Sequence, residues 1–152
     1  NFGKEAALFA GLRYAAGDIG SSFVTTADDL QRRLQTLDTV PDPDGRYRVN
    51  EFCCRDSSWQ ATVVQLIERA DAVVMDLRGF SAERAGCAFE LGELARRRRP
   101  AQVVLLVDRS TDRERLEPML GPPGAQPALV ELPRADGRSF DTAFAALLHA
   151  AG

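Results

Sequence analysis

A single α/β domain built on a parallel sheet is the fold this sequence predicts. Three observations lead to it. Ala72–Met75 and Val103–Val107 are short, unbroken apolar runs, the pattern of strands buried on both faces. Strand-like segments then alternate with segments of helical apolar spacing, five times between Ser22 and Ala150, as βα units do. Finally, 152 residues accommodate one domain with five such units.

Each element has a local reason. Lys4–Ala16 is rich in Ala and Leu and reads as a helix, broken at Gly17–Gly20. Residues 1–20 are thus expected as an N-terminal helix and linker, and 21–152 as the domain. Ser22–Thr25 is the first strand. Thr26 can cap a helix over Ala27–Leu37, whose apolar stripe is Leu30, Leu34 and Leu37. Asp38–Gly45, with two Pro and three Asp, is a solvated loop. Tyr47–Phe52 is the second strand. Asp56, Ser57 or Ser58 can cap a helix to Ala70 that carries Val63, Val64, Leu66 and Ile67. Ala72–Met75 is the third strand, ending at Asp76. A helix follows over about Glu83–Arg97, then the fourth strand, Val103–Val107. Ser110 or Thr111 can cap a short helix ending near Leu120. Gly121–Gln126 is a turn, Ala128–Leu132 the fifth strand, and Ser139–Ala150 an amphipathic closing helix. Right-handed crossovers and the short chain favour the flavodoxin-like strand order 2-1-3-4-5 in three layers.

Composition narrows the function classes. Apolar residues make up 45% and charged residues 27%, an ordinary globular profile. A net charge of −3 gives no basic surface for nucleic acid, so no nucleic-acid partner is expected. Lys4 is the only Lys. The odd count of three Cys (Cys53, Cys54, Cys87) fits reduced thiols in a cytoplasmic setting. With His149 the only His, no zinc-ligand spacing exists and no metal is expected. No run is long enough to span a bilayer. The chain starts with Asn rather than Met, so a membrane tether outside it is an open expectation. No GxGxxG, Walker loop or nucleophile elbow occurs, so no resident cofactor is expected.

The chemistry centres on Ala70–Leu94. In a parallel α/β sheet, ligands sit beyond the carboxyl ends of the strands. That puts Asp76, the Arg78–Ser81 loop, Gly86 and Glu90 on one cleft wall. Gly86-Cys87-Ala88-Phe89-Glu90-Leu91-Gly92, after an Ala-Asp-containing strand, resembles a motif of nucleoside deoxyribosyltransferases, whose Glu attacks the sugar carbon. The same stretch is similar to the Trp-Cys-x-x-Glu-Leu motif of TIR domains, whose Glu supports NAD cleavage in catalytic members. Cys87, Glu90 and Leu91 match it, and Gly86 stands where the Trp would be. The chain also resembles an uncharacterised group of bacterial proteins in which such a domain follows membrane-spanning segments. The shared signatures there are Val49-Asn50-Glu51-Phe52, Asp56-x-x-Trp59 and Met75-Asp76-Leu77-Arg78.

These resemblances imply NAD or another nucleotide as substrate, Glu90 as nucleophile or stabiliser, and Asp76 as the group orienting the sugar. Gly86 would let a ligand approach the backbone. Thr25, Arg55, Trp59, Arg78, Ser81, Asp108 and Arg109 are the other candidate ligand-binding residues, the arginines suiting phosphate. Each has a plainer reading. Glu90 could be a solvated helix residue, Asp76 a cap for loop amides, Gly86 a packing glycine, Trp59 a core anchor and the two adjacent Cys small buried residues. A non-catalytic assembly or nucleotide-binding module, able to self-associate, is the alternative function. A third is a degenerate response-regulator receiver with Asp76 as phosphoacceptor. Such domains need an acidic metal-binding pair and a Lys, but Thr25-Thr26 and Leu132-Pro133-Arg134 stand at those places. Arg96–Arg99 reads as a run that offsets a helix dipole, and could also meet an anionic membrane surface.

Overall fold

The computed structural model describes residues 8–10, 23–36, 43, 52–81, 83–97, 99–132 and 145. Within them the chain is mixed α/β, and every strand pairing is parallel. β1 (Leu8–Ala10), β4 (Val73–Asp76), β5 (Val103–Val107) and β6 (Ala128–Glu131) form a four-stranded sheet in the order β1-β4-β5-β6. β2 (Phe23–Val24) and β3 (Cys53–Cys54) form a separate parallel pair. The helices are α1 (Ala27–Gln35), α2 (Trp59–Arg69), α3 (Ala85–Arg97) and the short α4 (Arg113–Leu116), with 3₁₀ turns at Pro100–Gln102 and Glu117–Met119. Among the described residues no helix is long and apolar enough to cross a membrane.

β4 and β5 form because their apolar runs bury on both faces. Val73, Met75, Val103, Leu105 and Val107 point to one side, where Val63 and Ile67 of α2, Leu91 and Leu94 of α3, and Leu116 and Leu120 close over them. Val74, Val104 and Leu106 point to the other, with Ala72 and Leu132. A third cluster joins Val24, Leu30, Leu34, Phe52, Cys54 and Leu66. Trp59 packs against both the first and the third cluster, so α2 links the two sheets.

Several expectations are corrected. Leu8–Ala10 is a strand registered against Val73–Met75, not the middle of a helix. Its Ala-Leu-Phe-Ala composition suits a helix or a buried strand, and pairing with an apolar neighbour decides between them. The neighbour of β4 is therefore β1, where the order 2-1-3-4-5 called for the strand near Ser22. That strand pairs with Cys53–Cys54 instead. The described part of the second strand is Cys53–Cys54, beyond the expected end at Phe52; residues 47–51 lie outside the described residues. So do most of the Asp38–Gly45 loop and the closing helix apart from Ala145, which is helical.

Caps set the helix starts. Thr26 accepts from the Asp29 amide at 3.1 Å, and Asp29 Oδ2 accepts from the Thr26 amide at 3.1 Å, a capping box. Bonds from the Thr25 hydroxyl, then from Thr26, hold the Asp29 carboxyl far below the usual range. Replacing Thr26 by Ala is expected to cost about 1 kcal/mol, read as a lower urea midpoint at unchanged slope. Ser58 precedes α2 but makes no cap bond; its hydroxyl donates to the Val24 carbonyl and ties α2 to β2. Asp112, not Ser110 or Thr111, caps α4, accepting from the Arg115 amide at 3.1 Å.

Candidate functional site

The ends of β4 and β5 hold a clasp of loops. Asp76, the last residue of β4, accepts from the Arg78 amide at 3.0 Å, from Arg78 Nε at 2.9 Å and from its Nη2 at 2.6 Å. Partial burial pulls the Asp76 carboxyl up, but the Arg78 contacts outweigh it and keep it below its ordinary value. Asp108, just past β5, accepts from the Ser110 amide at 2.9 Å, from its hydroxyl at 2.6 Å, and from the Gly79 amide. These bonds, with Ser110 foremost, also depress its pKa. Asp108 adds negative field at both Asp76 and Arg78.

Thr111 pins the two loops from beneath. Its buried hydroxyl donates to the Leu77 carbonyl at 3.0 Å and accepts from the Asp108 amide at 3.0 Å. The Asp112 amide adds a bond to the Phe80 carbonyl at 2.9 Å. Gly79 turns the β4 loop at φ +70°, with Arg84 and Ser110 each 3.8 Å from where a Cβ would stand. Space is sufficient, so the strain of Gly79→Ala is purely conformational. It is expected to cost about 1–2 kcal/mol, seen as a lower melting temperature. Among the described residues no buried side-chain nitrogen or oxygen lacks a partner.

Glu90 lies in the second turn of α3, half-buried. Burial pushes its carboxyl up to about 7 from an ordinary value of 4.5. No described residue gives it a hydrogen bond or an ion pair. Its neighbour Glu93 is the opposite case: more deeply buried, it bonds Arg96 and Arg97, and Arg97 continues to Glu68 of α2. Phe89 meets Trp59 edge-to-face at 5.1 Å between ring centroids, which fixes the start of α2 against α3. Cys87, one turn before Glu90, has its thiol pushed up by burial and by the Glu90 charge; Arg84 reaches its sulfur. Cys54 is buried and its thiol is likewise raised, chiefly by burial. The three cysteines are free. The raised thiols of Cys54 and Cys87 make poor nucleophiles at neutral pH.

The expected site residues fall into groups. Asp76, Arg78 and Asp108 come together in the clasp. Thr25 and Arg55 follow the paired ends of β2 and β3; the Arg55 amide bonds Ser58 Oγ at 3.2 Å. Trp59 and Glu90 sit on facing helices. Ser81 is half-buried and its carbonyl accepts from the Arg84 amide at 3.1 Å; Gly86 is half-buried in the first turn of α3. Arg109 is exposed. Phe80, expected on the cleft wall with the Arg78–Ser81 loop, is instead 1% exposed and belongs to the core. Reasoning from sequence overlooked Gly79, Ser110 and Thr111 as parts of one clasp. The signals were an Arg-Gly turn and an Asp-x-Ser-Thr run, both typical of side-chain-to-backbone turns. Among the described residues no cluster of three His, Cys, Asp or Glu side chains could hold a metal.

Comparison with known protein families, curated proteins and solved structures finds no match to this chain.

Proposed function

We propose that the chain is a TIR-like or nucleoside-deoxyribosyltransferase-like cytoplasmic module that acts on an N-glycosidic bond of NAD or another nucleotide. In this reading the sheet completes a flavodoxin-like arrangement. The observation that carries the proposal is Glu90: a half-buried carboxyl in the second turn of α3, without an ion-pair partner among the described residues and tuned toward neutral pH by burial. Enzymes tune acids and bases in this way, whereas a merely solvated helix Glu keeps an ordinary pKa.

The ionised Glu90 attacks the sugar carbon as the bond to the base breaks, and the base leaves with the bond's electron pair: nicotinamide, a cation in NAD, leaves neutral, whereas a purine or pyrimidine takes up a proton from water. Water, or a second base, then displaces the carboxylate from the sugar. Asp76 acts through Arg78. Its oxygens already accept three bonds, so it fixes the guanidinium, which pairs with a phosphate or sugar oxygen of the ligand. Gly86 leaves the first turn of α3 open to that ligand.

The test is to incubate the protein at high concentration with NAD and with deoxynucleosides, following free base by chromatography beside Glu90→Gln. Base release by the native protein alone is the expected result. Nucleotide-dependent thermal stabilisation without release would mark a binding module instead, and neither effect would overturn the proposal.

A further inference from the structure

The parallel arrangement lines up the helix C-termini at the end of the molecule where the strands begin. Arg32 and Arg33 close α1, Arg69 closes α2, and Arg96 and Arg97 close α3. Asp29 pairs with Arg32, Glu93 with Arg96 and Arg97, and Glu68 also with Arg97, which leaves the pole a net excess of arginine rather than a set of unpaired ones. The opposite end carries more acid: Asp28 and Asp29 open α1, Asp112 caps α4, Asp76 ends β4 and Asp108 follows β5, set against Arg55, Arg78, Arg84 and Arg109. A net charge of −3 therefore conceals a molecule with a basic pole. Favourable interaction with helix dipoles accounts for arginines in the last turn. It does not account for Arg99, two residues beyond α3 and exposed. Arg69 and Arg99 make no ion pair within the described residues.

Beside this pole lies an apolar cleft of about 310 Å³ between the second half of α3, the start of β5 and the loop after α4. Leu94, Pro100, Met119, Pro122 and Ala125 line it. It lies toward the far end of the strands from the Asp76–Asp108 clasp, its lining reaching along α3 to Leu91.

We propose that this pole docks on an anionic phospholipid bilayer, with the arginines against the headgroups and the cleft facing the acyl boundary. Charge complementarity selects the partner. Guanidiniums pair with phosphate in a fixed fork, an anionic leaflet attracts clustered basic residues, and an apolar recess beside them suits the interface between headgroup and chain. Docking in this orientation leaves the acidic pole and its clasp facing water.

Sedimentation of the protein with vesicles tests it, using pure phosphatidylcholine and a mixture containing about one-third phosphatidylglycerol. The expected result is binding to the anionic vesicles alone, weakened as salt shortens the Debye length. Each of Arg69→Gln and Arg99→Gln should weaken it about fivefold. Both positions are exposed, so folding is preserved, and thermal melting verifies this. Ala125→Asp, an exposed lining position, should weaken it further. Equal binding to both vesicle types, no binding to either, or binding that survives the double arginine variant overturns the proposal. So does concentration-dependent dimerisation that Ala125→Asp abolishes in a protein that ignores vesicles.

Discussion

Phe80→Ala should lower stability by about 3–5 kcal/mol, one of the largest effects of any single truncation in this chain. Phe80 is among the largest fully buried side chains, at 1% exposure. It packs with Leu77, Leu116 and the sheet residues of the main core. Its backbone is held as well: its amide donates to Leu77 at 3.0 Å and its carbonyl accepts from Asp112 at 2.9 Å. Neighbours pinned in this way cannot collapse into the space the ring leaves, so the cavity contribution adds to the transfer contribution. A domain of ordinary stability has about 5–15 kcal/mol in all, so the variant loses a large share of it. Urea unfolding reads the change as a lower midpoint. Phe80→Leu keeps most of the volume and should cost less than about 1.5 kcal/mol. If Phe80→Ala costs under 1 kcal/mol, the ring is not the wedge that sets the loop.

The loss should also reach the clasp. Phe80 sits between Arg78–Gly79 and the Asp108–Thr111 loop that its carbonyl holds through Asp112. Asp76, Arg78 and Asp108 therefore owe their relative placement to a buried aromatic that the sequence presents as one more loop residue.

What could be read from the sequence follows from how each residue is stabilised. Val103–Val107 is legible to the residue, because a run buried on both faces has to be continuously apolar. Thr26 is legible as a cap because the capping box is local. Leu8–Ala10 is not: three apolar residues have no period, and only the partner strand makes them β. Ser110, Thr111 and Asp112 can each cap a helix. The choice of Asp112 depends on Thr111 being drawn under the loop to Leu77, a contact 34 residues away in sequence. For the site, placing Asp76 and Glu90 needed only the strand-helix order. The half-burial of Glu90, and the commitment of Asp76 to Arg78, depend on packing that no local pattern encodes.

Glu90→Gln should separate activity from stability. If the carboxylate attacks the sugar carbon, its loss removes base release by a factor on the order of 10²–10⁴ or more. In the native protein the rate should climb as pH rises through about 7, since only the ionised form attacks. Stability should move the other way. The folded state holds the Glu90 proton more tightly than the unfolded chain, whose value is near 4.5. The favourable contribution is therefore fully present below pH 4.5 and is lost as pH rises through 7. A displacement of that size corresponds to about 3 kcal/mol, and solvent contact with a half-buried group brings it to about 1–2 kcal/mol. Glu90→Gln removes this titration while keeping the side chain's shape. The variant should match the native protein at about pH 4 and below and exceed it by about 1–2 kcal/mol at pH 8.5, a rise of several degrees in melting temperature. Melting curves displaced equally at both pH values would show that Glu90 is a solvated helix residue. A variant that gains stability at high pH and loses base release would identify a carboxyl kept at a cost to the fold, as site residues often are.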